Sequence, residues 1–405
     1  MINGVSGPRV IVQASSRSWS GGRDLSMANV DGYPVIYWTI KRVFDAIPDA
    51  EVVVAAPAFD RGGELDFLVS AFPTHHVTIY YGHDASPLNR MVDVCQDLKD
   101  GDHIIRVDGL HFCFDTNSSL KMIEKARDKC LDCMKLPDDF PVQFASDIYR
   151  VGALRKLDRL LTEDTLAFRV HPKFYMLRHE DMFHCAYLQE LPCYSDDYLL
   201  QCRKSTKAIY SAPRLEVNEH KTYWQGNQLG YHYELGLEHL QPWMKVLDIA
   251  CGTGWGTRML AHKVAEVYGA DLDAEVIEQA KQMTDAKNIH FSIEDITQMQ
   301  FPDSHFDGVT CMETIEHIDA RSCLAELSRV LKPKGILVMS TPQNRMGHIP
   351  LVAAHQHEYS LKEIVELCGR YFSVKRVIGI KAGRIFFEDD QFGSATVLVL
   401  EGMKT

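Results

Sequence analysis

The run GluThrIleGluHisIle at 313–318 places two carboxylates and an imidazole close together along the chain, a set able to move a proton. A neutral histidine near pH 7 is the usual base for a hydroxyl nucleophile, which makes His317 the candidate base with Glu313 and Glu316 in support. The segment CysGlyThrGlyTrpGly at 251–256 carries a second kind of chemistry. It follows an apolar run and precedes a helical one, so Gly252 and Gly254 bring backbone N–H groups and a helix N-terminus close to a ligand. Asp271 follows about 20 residues later at the end of the next apolar run, where a carboxylate can accept from both hydroxyls of a ribose. A dinucleotide fingerprint requires a further glycine at 257, and this chain has Thr257 there. Asp295 ends another strand, placed either to accept from an adenine amino group or to cap a helix.

These residues need elements to hold them. LysValLeuAspIleAla at 245–250 reads as a buried strand with a helix behind it through about Val264. Further strands are expected at 266–271, 288–295, 306–313 and 335–341, the last preceded by a helix and the turn LysProLysGly. A helix at 360–370 and an antiparallel pair at 372–380 and 394–400 close this alternation. An earlier one comprises strands at 9–13, 50–56, 77–81 and 103–107, with helical stretches at 33–44 and 87–99. Residues 116–215 are less regular. Alternation of this kind implies an α/β class with parallel sheets flanked by helices, and two domains, 1–215 and 216–405.

Composition narrows the partners. A formal net charge of −12 and the lack of any basic tract argue against nucleic acid, leaving a small polar molecule as the expected substrate. Nothing reads as a secretory signal or membrane span, and 11 scattered cysteines suit reduced thiols in a cytoplasmic protein. Cys130 and Cys133 form a CxxC with no second pair to complete a zinc site, within a stretch that reads as helix.

ValLeuAspIleAlaCysGlyThrGly, GluThrIleGluHisIle, ArgValLeuLysProLysGly and SerThrProGln together resemble the class I S-adenosylmethionine-dependent methyltransferases. The similarity runs from about Tyr223 to Met403 and is nearest to the ubiquinone-type and sugar O-methyltransferase branches. It implies a seven-stranded Rossmann-like sheet whose last strand is antiparallel. It also implies S-adenosylmethionine held by Asp248, Ala250, Gly252, Gly254, Asp271, Leu272, Asp295, Ile296 and Met312. In some members of that family the carboxylates equivalent to Glu313 and Glu316 help hold a divalent metal, so these residues and His317 could be acid/base groups or ligands. HisGlnHisGluTyrSer at 355–360 resembles a substrate-side element of glycan-associated methyltransferases, which adds His355 to the catalytic candidates. His348 and His357 lie nearby, yet spacing alone does not make the three histidines a metal site.

ValIleValGlnAla at 10–14, Gly32-x-Pro34-ValIle, TyrGlyHisAspAlaSerProLeuAsnArg at 81–90, IleIleArgValAspGly at 104–109 and HisProLysPheTyrMetLeuArgHisGluAspMetPhe at 171–183 resemble the sugar nucleotidylyltransferases, the acylneuraminate and spore-coat-polysaccharide cytidylyltransferases most closely. The resemblance implies a GT-A-like, nucleotide-binding fold. The family's phosphate-binding lysine falls on Leu25, with Arg17 and Arg23 out of register, and its magnesium-binding aspartate falls on Leu110, leaving Asp108 and Asp115. Losing both contacts, at roughly 2–3 kcal/mol each, implies a loss of about 10³–10⁴ in activity.

Three readings follow. The first is an O-methyltransferase for a sugar, sugar nucleotide or surface-glycan precursor with an inactive nucleotide-binding domain. The second is a bifunctional CTP-dependent cytidylyltransferase and methyltransferase. In the third, the first domain is an interaction module that brings the methyltransferase to a protein or glycan-assembly partner, and the chain could form a homo-oligomer.

Overall fold

The computed structural model describes residues 7–17, 23–137, 140, 142–162, 165, 167–209, 229–344, 354–381, 385–388 and 395–403. The chain divides into two compact units, Met1–Ile209 and Tyr210–Thr405.

The first unit contains β1 (Arg9–Gln13), β2 (Asn29–Val30), β3 (Tyr33–Pro34), β4 (Glu51–Pro57), β5 (Val77–Gly82), β6 (His103–Asp108), β7 (Cys133–Lys135), β8 (Asp147–Arg150) and β9 (Cys185–Tyr187). Seven of these form one sheet in the order β5-β4-β1-β6-β8-β7-β9, while β2 and β3 pair separately. β5, β4, β1 and β6 run parallel and β8 is antiparallel to both of its neighbours. The central strands are apolar on both faces, and separate clusters built on Val10 and Val12 or on Ile11 and Ile104 cover the two sides.

Two local expectations are corrected here. The helix expected at 87–99 stops at Asp93. Arg9 Nη1 donates to the Val94 carbonyl at 2.7 Å, and the same guanidinium is clasped by Glu51 and Asp97. The CxxC is not helical either. The helix Thr116–Asp128 ends before it, Cys130 turns the backbone at φ 50°, and Cys133 starts β7.

The second unit contains β10 (Lys245–Ile249), β11 (Glu266–Asp271), β12 (Ile289–Ile293), β13 (Phe306–Met312), β14 (Leu331–Pro342), β15 (Phe372–Lys381), β16 (Ile385–Glu388) and β17 (Ala395–Gly402). The order is β12-β11-β10-β13-β14-β17-β15-β16, parallel through β14 and antiparallel beyond it. Seven strands were expected and eight are present, because β16 hydrogen-bonds along β15 and adds an edge strand. β14 also begins earlier than expected. Leu331 pairs with Phe306, so the LysProLysGly segment lies within the strand as an irregularity, with Lys334 at φ 64°. Among the described residues no helix is long and apolar enough to cross a membrane.

Candidate functional site

Parallel strands leave their carboxyl ends open, and the candidate residues of the second unit gather at those of β10, β11 and β13. After β10 the backbone passes through left-handed conformations at Ala250 (φ 58°), Gly252 (φ 57°) and Gly254 (φ 72°). The Cys251 N–H donates to the Ala270 carbonyl at 3.0 Å and the Gly252 N–H donates to Asp271 Oδ2 at 2.9 Å, fastening the turn to β11.

Space as well as φ demands glycine here. A Cβ at Gly254 would lie 2.6 Å from the Phe291 ring, and one at Gly256 would lie 2.1 Å from the Tyr233 ring. Gly256→Ala is therefore expected to cost about 1–3 kcal/mol through overpacking, because Tyr233 cannot retreat without leaving Asp248. Denaturant unfolding checks this, and an unchanged midpoint would contradict it.

Asp248, grouped with the cofactor residues by motif position, lies beneath the glycine turn. It has no exposed surface. Its carboxylate accepts from Tyr233 Oη at 3.0 Å, Thr310 Oγ1 at 2.8 Å and Thr257 Oγ1 at 2.7 Å, and burial pushes it up to about 6. A fully enclosed group with three hydroxyl donors holds the turn in place. Thr257, where a dinucleotide site would have glycine, is one of those clamps.

Asp271 ends β11 with its backbone beside Ile293. Its Oδ1 accepts the Asp273 N–H at 3.1 Å, and Asp273 in turn caps the helix Ala274–Gln282. Leu272 is 68% exposed, an apolar face next to a carboxylate. Asp295 Oδ1 accepts from both the N–H and the hydroxyl of Thr297, which holds this carboxyl below its usual range. The cap it makes closes a turn and starts no helix. Ile296 and Met312 are buried in the apolar layers on either side of the sheet.

A second cluster follows β13. Glu313 sits at φ 48°, its N–H donating to the Ser340 carbonyl at 3.0 Å and to Ser340 Oγ at 3.2 Å. Its buried Oε1 has no hydrogen-bond partner and lies 3.5 Å from His232 Nδ1, and burial pushes the carboxyl up to about 7. Glu316, 1% exposed, accepts from Thr341 Oγ1 at 2.9 Å and is pushed up to about 9, first by burial and then by Glu313. The Glu316 carbonyl accepts the N–H groups of Gln356 and His357, tying the 354–360 segment to the end of β13.

This tie brings two imidazoles together. His317 and His355 pack edge to face with ring centres 4.6 Å apart. His317 Nδ1 lies 3.2 Å from the Ala354 carbonyl and His355 Nδ1 lies 2.6 Å from Glu358 Oε1. One donor atom each from Glu316, His317 and His355 falls within 4.8 Å of the others. Glu313, Glu316, His317 and His355 are thus assembled, whereas His357 turns toward Glu363 and Tyr359. His348 lies outside the described residues.

Sequence reasoning missed His232, Ser340, Thr341 and Glu358. Burial pushes His232 down to about 4, so it is neutral. Glu358 stands three residues after His355, a spacing visible in the chain. Ser340 and Thr341 begin the SerThrProGln run, whereas His232 carries no such pattern.

Residues 247–339 match the family described as "Methyltransferase domain", a stretch spanning the glycine turn, Asp271 and the Glu313–His317 cluster. The second unit contains a methyltransferase domain. The chain is 35% identical over 108 residues to the 2-methyl-6-phytyl-1,4-hydroquinone methyltransferase of Synechocystis, covering 26% of this chain and 34% of that protein. It is 32% identical over 131 residues to the ubiquinone biosynthesis O-methyltransferase of Pasteurella multocida, covering 29% and 54%. The chain therefore spans between a third and a little over half of these relatives' lengths. An S-adenosylmethionine-dependent methyltransferase from Mesorhizobium loti superposes with a TM-score of 0.37 at 15% identity, covering 43% of this chain and 99% of that one.

In the first unit the acids and cations singled out from the sequence are already engaged. Arg23 pairs with Glu64, Arg17 lies over the Phe59 ring, and Leu25 opens a short turn capped by Asp24. Asp108 accepts from the Leu110 N–H at 3.1 Å and from Arg106 at 3.2 Å. Asp115 caps the helix Thr116–Asp128 through Ser118 and accepts from Tyr194 Oη at 2.7 Å. Asp147, not flagged by the sequence, takes Lys173 Nζ on both oxygens at 2.8 and 3.0 Å.

Proposed function

We propose that this chain is an S-adenosylmethionine-dependent O-methyltransferase acting on a hydroxyl of a sugar, sugar nucleotide or surface-glycan precursor. The observation that carries the reading is the pair of packed imidazoles, His317 and His355, beside the buried Glu316 and the half-buried Glu313 at the end of β13. The Pasteurella relative is named for oxygen methylation, which favours a hydroxyl acceptor.

The residues present suit the cofactor. Asp271 is oriented by two backbone N–H groups to take ribose hydroxyls, Leu272 offers an apolar face to the adenine, and the Gly252–Gly254 turn admits close backbone approach. When bound, S-adenosylmethionine supplies an electrophilic methyl on its sulfonium. The acceptor oxygen takes that methyl carbon as the carbon–sulfur bond breaks, and the hydroxyl proton must leave. His317 is arranged to receive it: with Nδ1–H donating to the Ala354 carbonyl, the lone pair is on Nε2. Burial keeps Glu316 protonated at pH 7 and raises Glu313 to about 7, so each can donate as well as accept.

His317→Ala is expected to slow methyl transfer by about 10²–10⁴-fold while leaving S-adenosylhomocysteine affinity within about twofold. The measurement is S-adenosylhomocysteine release with a panel of sugars and sugar nucleotides, alongside binding of that product. Full turnover by the variant would remove His317 from the chemistry.

For the first unit we favour a nucleotidyltransferase-like fold without transferase activity. The strand order supports the fold, and the occupied oxygens of Asp108, Asp115 and Asp147 leave a divalent cation little to bind. Pyrophosphate release from CTP with candidate sugars would favour the bifunctional reading instead.

A further inference from the structure

We infer that Cys202 is an oxidation site for a peroxide, with Cys113 as the thiol that converts the oxidised sulfur to a disulfide within the first unit. Cys113 lies in the segment between β6 and the helix Thr116–Asp128, and Cys202 lies on the helix Asp196–Ile209. Side-chain ties on either side hold these two segments together. Arg42 Nε donates to the Phe112 carbonyl at 2.9 Å, and its Nη2 donates to Tyr198 Oη at 3.3 Å, one helical turn before Cys202. Tyr194 Oη donates to Asp115 Oδ2 at 2.7 Å, and the Tyr194 ring stacks on Phe144 with centres 4.8 Å apart. Between these ties the Cys113 thiol donates to the Cys202 sulfur, and the Tyr198 hydroxyl donates to it as well. Both cysteines are buried, Cys113 at 3% and Cys202 at 5% exposure.

The surroundings divide the labour between the two sulfurs. The Cys113 thiol first, then Tyr198 and the Arg42 guanidinium, favour a thiolate on Cys202 and hold it down at about 7 against the effect of burial. The same contact and burial push Cys113 up, so it keeps its proton. Elsewhere in the chain burial pushes the Cys95 and Cys368 thiols up to about 12. The Cys202 thiolate attacks one peroxide oxygen, the O–O bond breaks, and the other oxygen leaves as hydroxide, which gives a sulfenic acid on Cys202. The Cys113 sulfur then attacks Cys202, the S–O bond breaks, and the departing hydroxide takes the Cys113 proton as water. Two thiols are oxidised to one disulfide, and hydrogen peroxide is reduced to two waters. Thiols already in contact need only close to the ~2 Å of an S–S bond. Burial admits a small peroxide and excludes bulky disulfides, which separates Cys202 from the exposed Cys130 and Cys193. The bond fastens the helix Asp196–Ile209 to the segment between Asp108 and Asp115.

The test uses the full chain, reduced, desalted and treated with hydrogen peroxide at neutral pH. Digestion without reductant, followed by mass spectrometry, is expected to yield a peptide linked through Cys113 and Cys202 that dithiothreitol separates. The link should form at least about tenfold faster than oxidation of Cys95 or Cys368, whose thiols stay protonated. Cys113→Ser should leave a sulfenic acid on Cys202 that dimedone traps, and Cys113→Ala provides a second variant should the serine form fail to fold. Cys202→Ser should abolish the linked peptide. A chain carrying both Cys130→Ser and Cys193→Ser, at exposed positions, should form the link at the parent's rate. No linked peptide from the folded chain, a link formed only in denaturant, a bond from Cys202 to another cysteine, or no dimedone adduct at Cys202 in the Cys113 variants would overturn the assignment.

Discussion

Asp271→Ala is expected to weaken S-adenosylhomocysteine binding by more than tenfold. The side chain ends β11 with one oxygen held by the Gly252 N–H and the other by the Asp273 N–H, so its orientation is set before any ligand arrives. A preorganised carboxylate accepting from ribose hydroxyls contributes roughly 1.5–3 kcal/mol per charge-assisted bond. Alanine would remove those bonds and also release the glycine turn from β11. Asp271→Asn keeps an acceptor for one of the backbone N–H groups and should fall between the parent and the alanine variant. Equilibrium dialysis against labelled product reads both. An alanine variant within twofold of the parent would mean that the ribose is held elsewhere.

Glu316→Gln is expected to stabilise the protein, and increasingly so as pH rises. Glu316 is almost wholly buried and is pushed up to about 9 from an ordinary carboxyl value of 4.5. The sign follows from linkage. A carboxyl with a raised folded-state pKa contributes its full stability below the unfolded value, and loses it as pH climbs from about 4.5 toward 9. Each unit of difference corresponds to about 1.4 kcal/mol, so near pH 8 the cost is on the order of several kcal/mol. Glutamine still accepts from Thr341 and never ionises, so its unfolding midpoint should change less with pH than the parent's. Thermal unfolding between pH 5 and pH 8 checks this, and a variant less stable than the parent at pH 8 would contradict it. The same variant should lose methyl transfer, as expected where a costly buried group is kept for function.

Much of this architecture could be read from the chain, for identifiable reasons. β1, β4, β10 and β13 are short apolar runs bounded by turn residues, and burial on both faces gives such strands an unbroken hydrophobic signature. The glycine turn was legible because Gly252 and Gly254 adopt positive φ. Where the reading erred, a distant partner decided the outcome. Arg9 takes the Val94 carbonyl that a longer helix would need, and β8 and β9 draw Cys133 into a strand.

At the site, side-chain types revealed candidates and their neighbours determined roles. Asp248 has the position of a ligand-facing residue, but Tyr233, Thr257 and Thr310 enclose it. His232 meets Glu313 and Ser340 only after the helix Leu229–Leu237 packs on the sheet, which no local pattern encodes. Glu358 was in plain view three residues after His355. Its importance depends on the fold carrying that pair to His317.

Isothermal titration of the purified full chain with S-adenosylhomocysteine tests the central claim most directly. Saturable binding of one molecule per chain, lost in Asp271→Ala, is the predicted result. A parent protein that takes up neither S-adenosylhomocysteine nor S-adenosylmethionine would contradict the account.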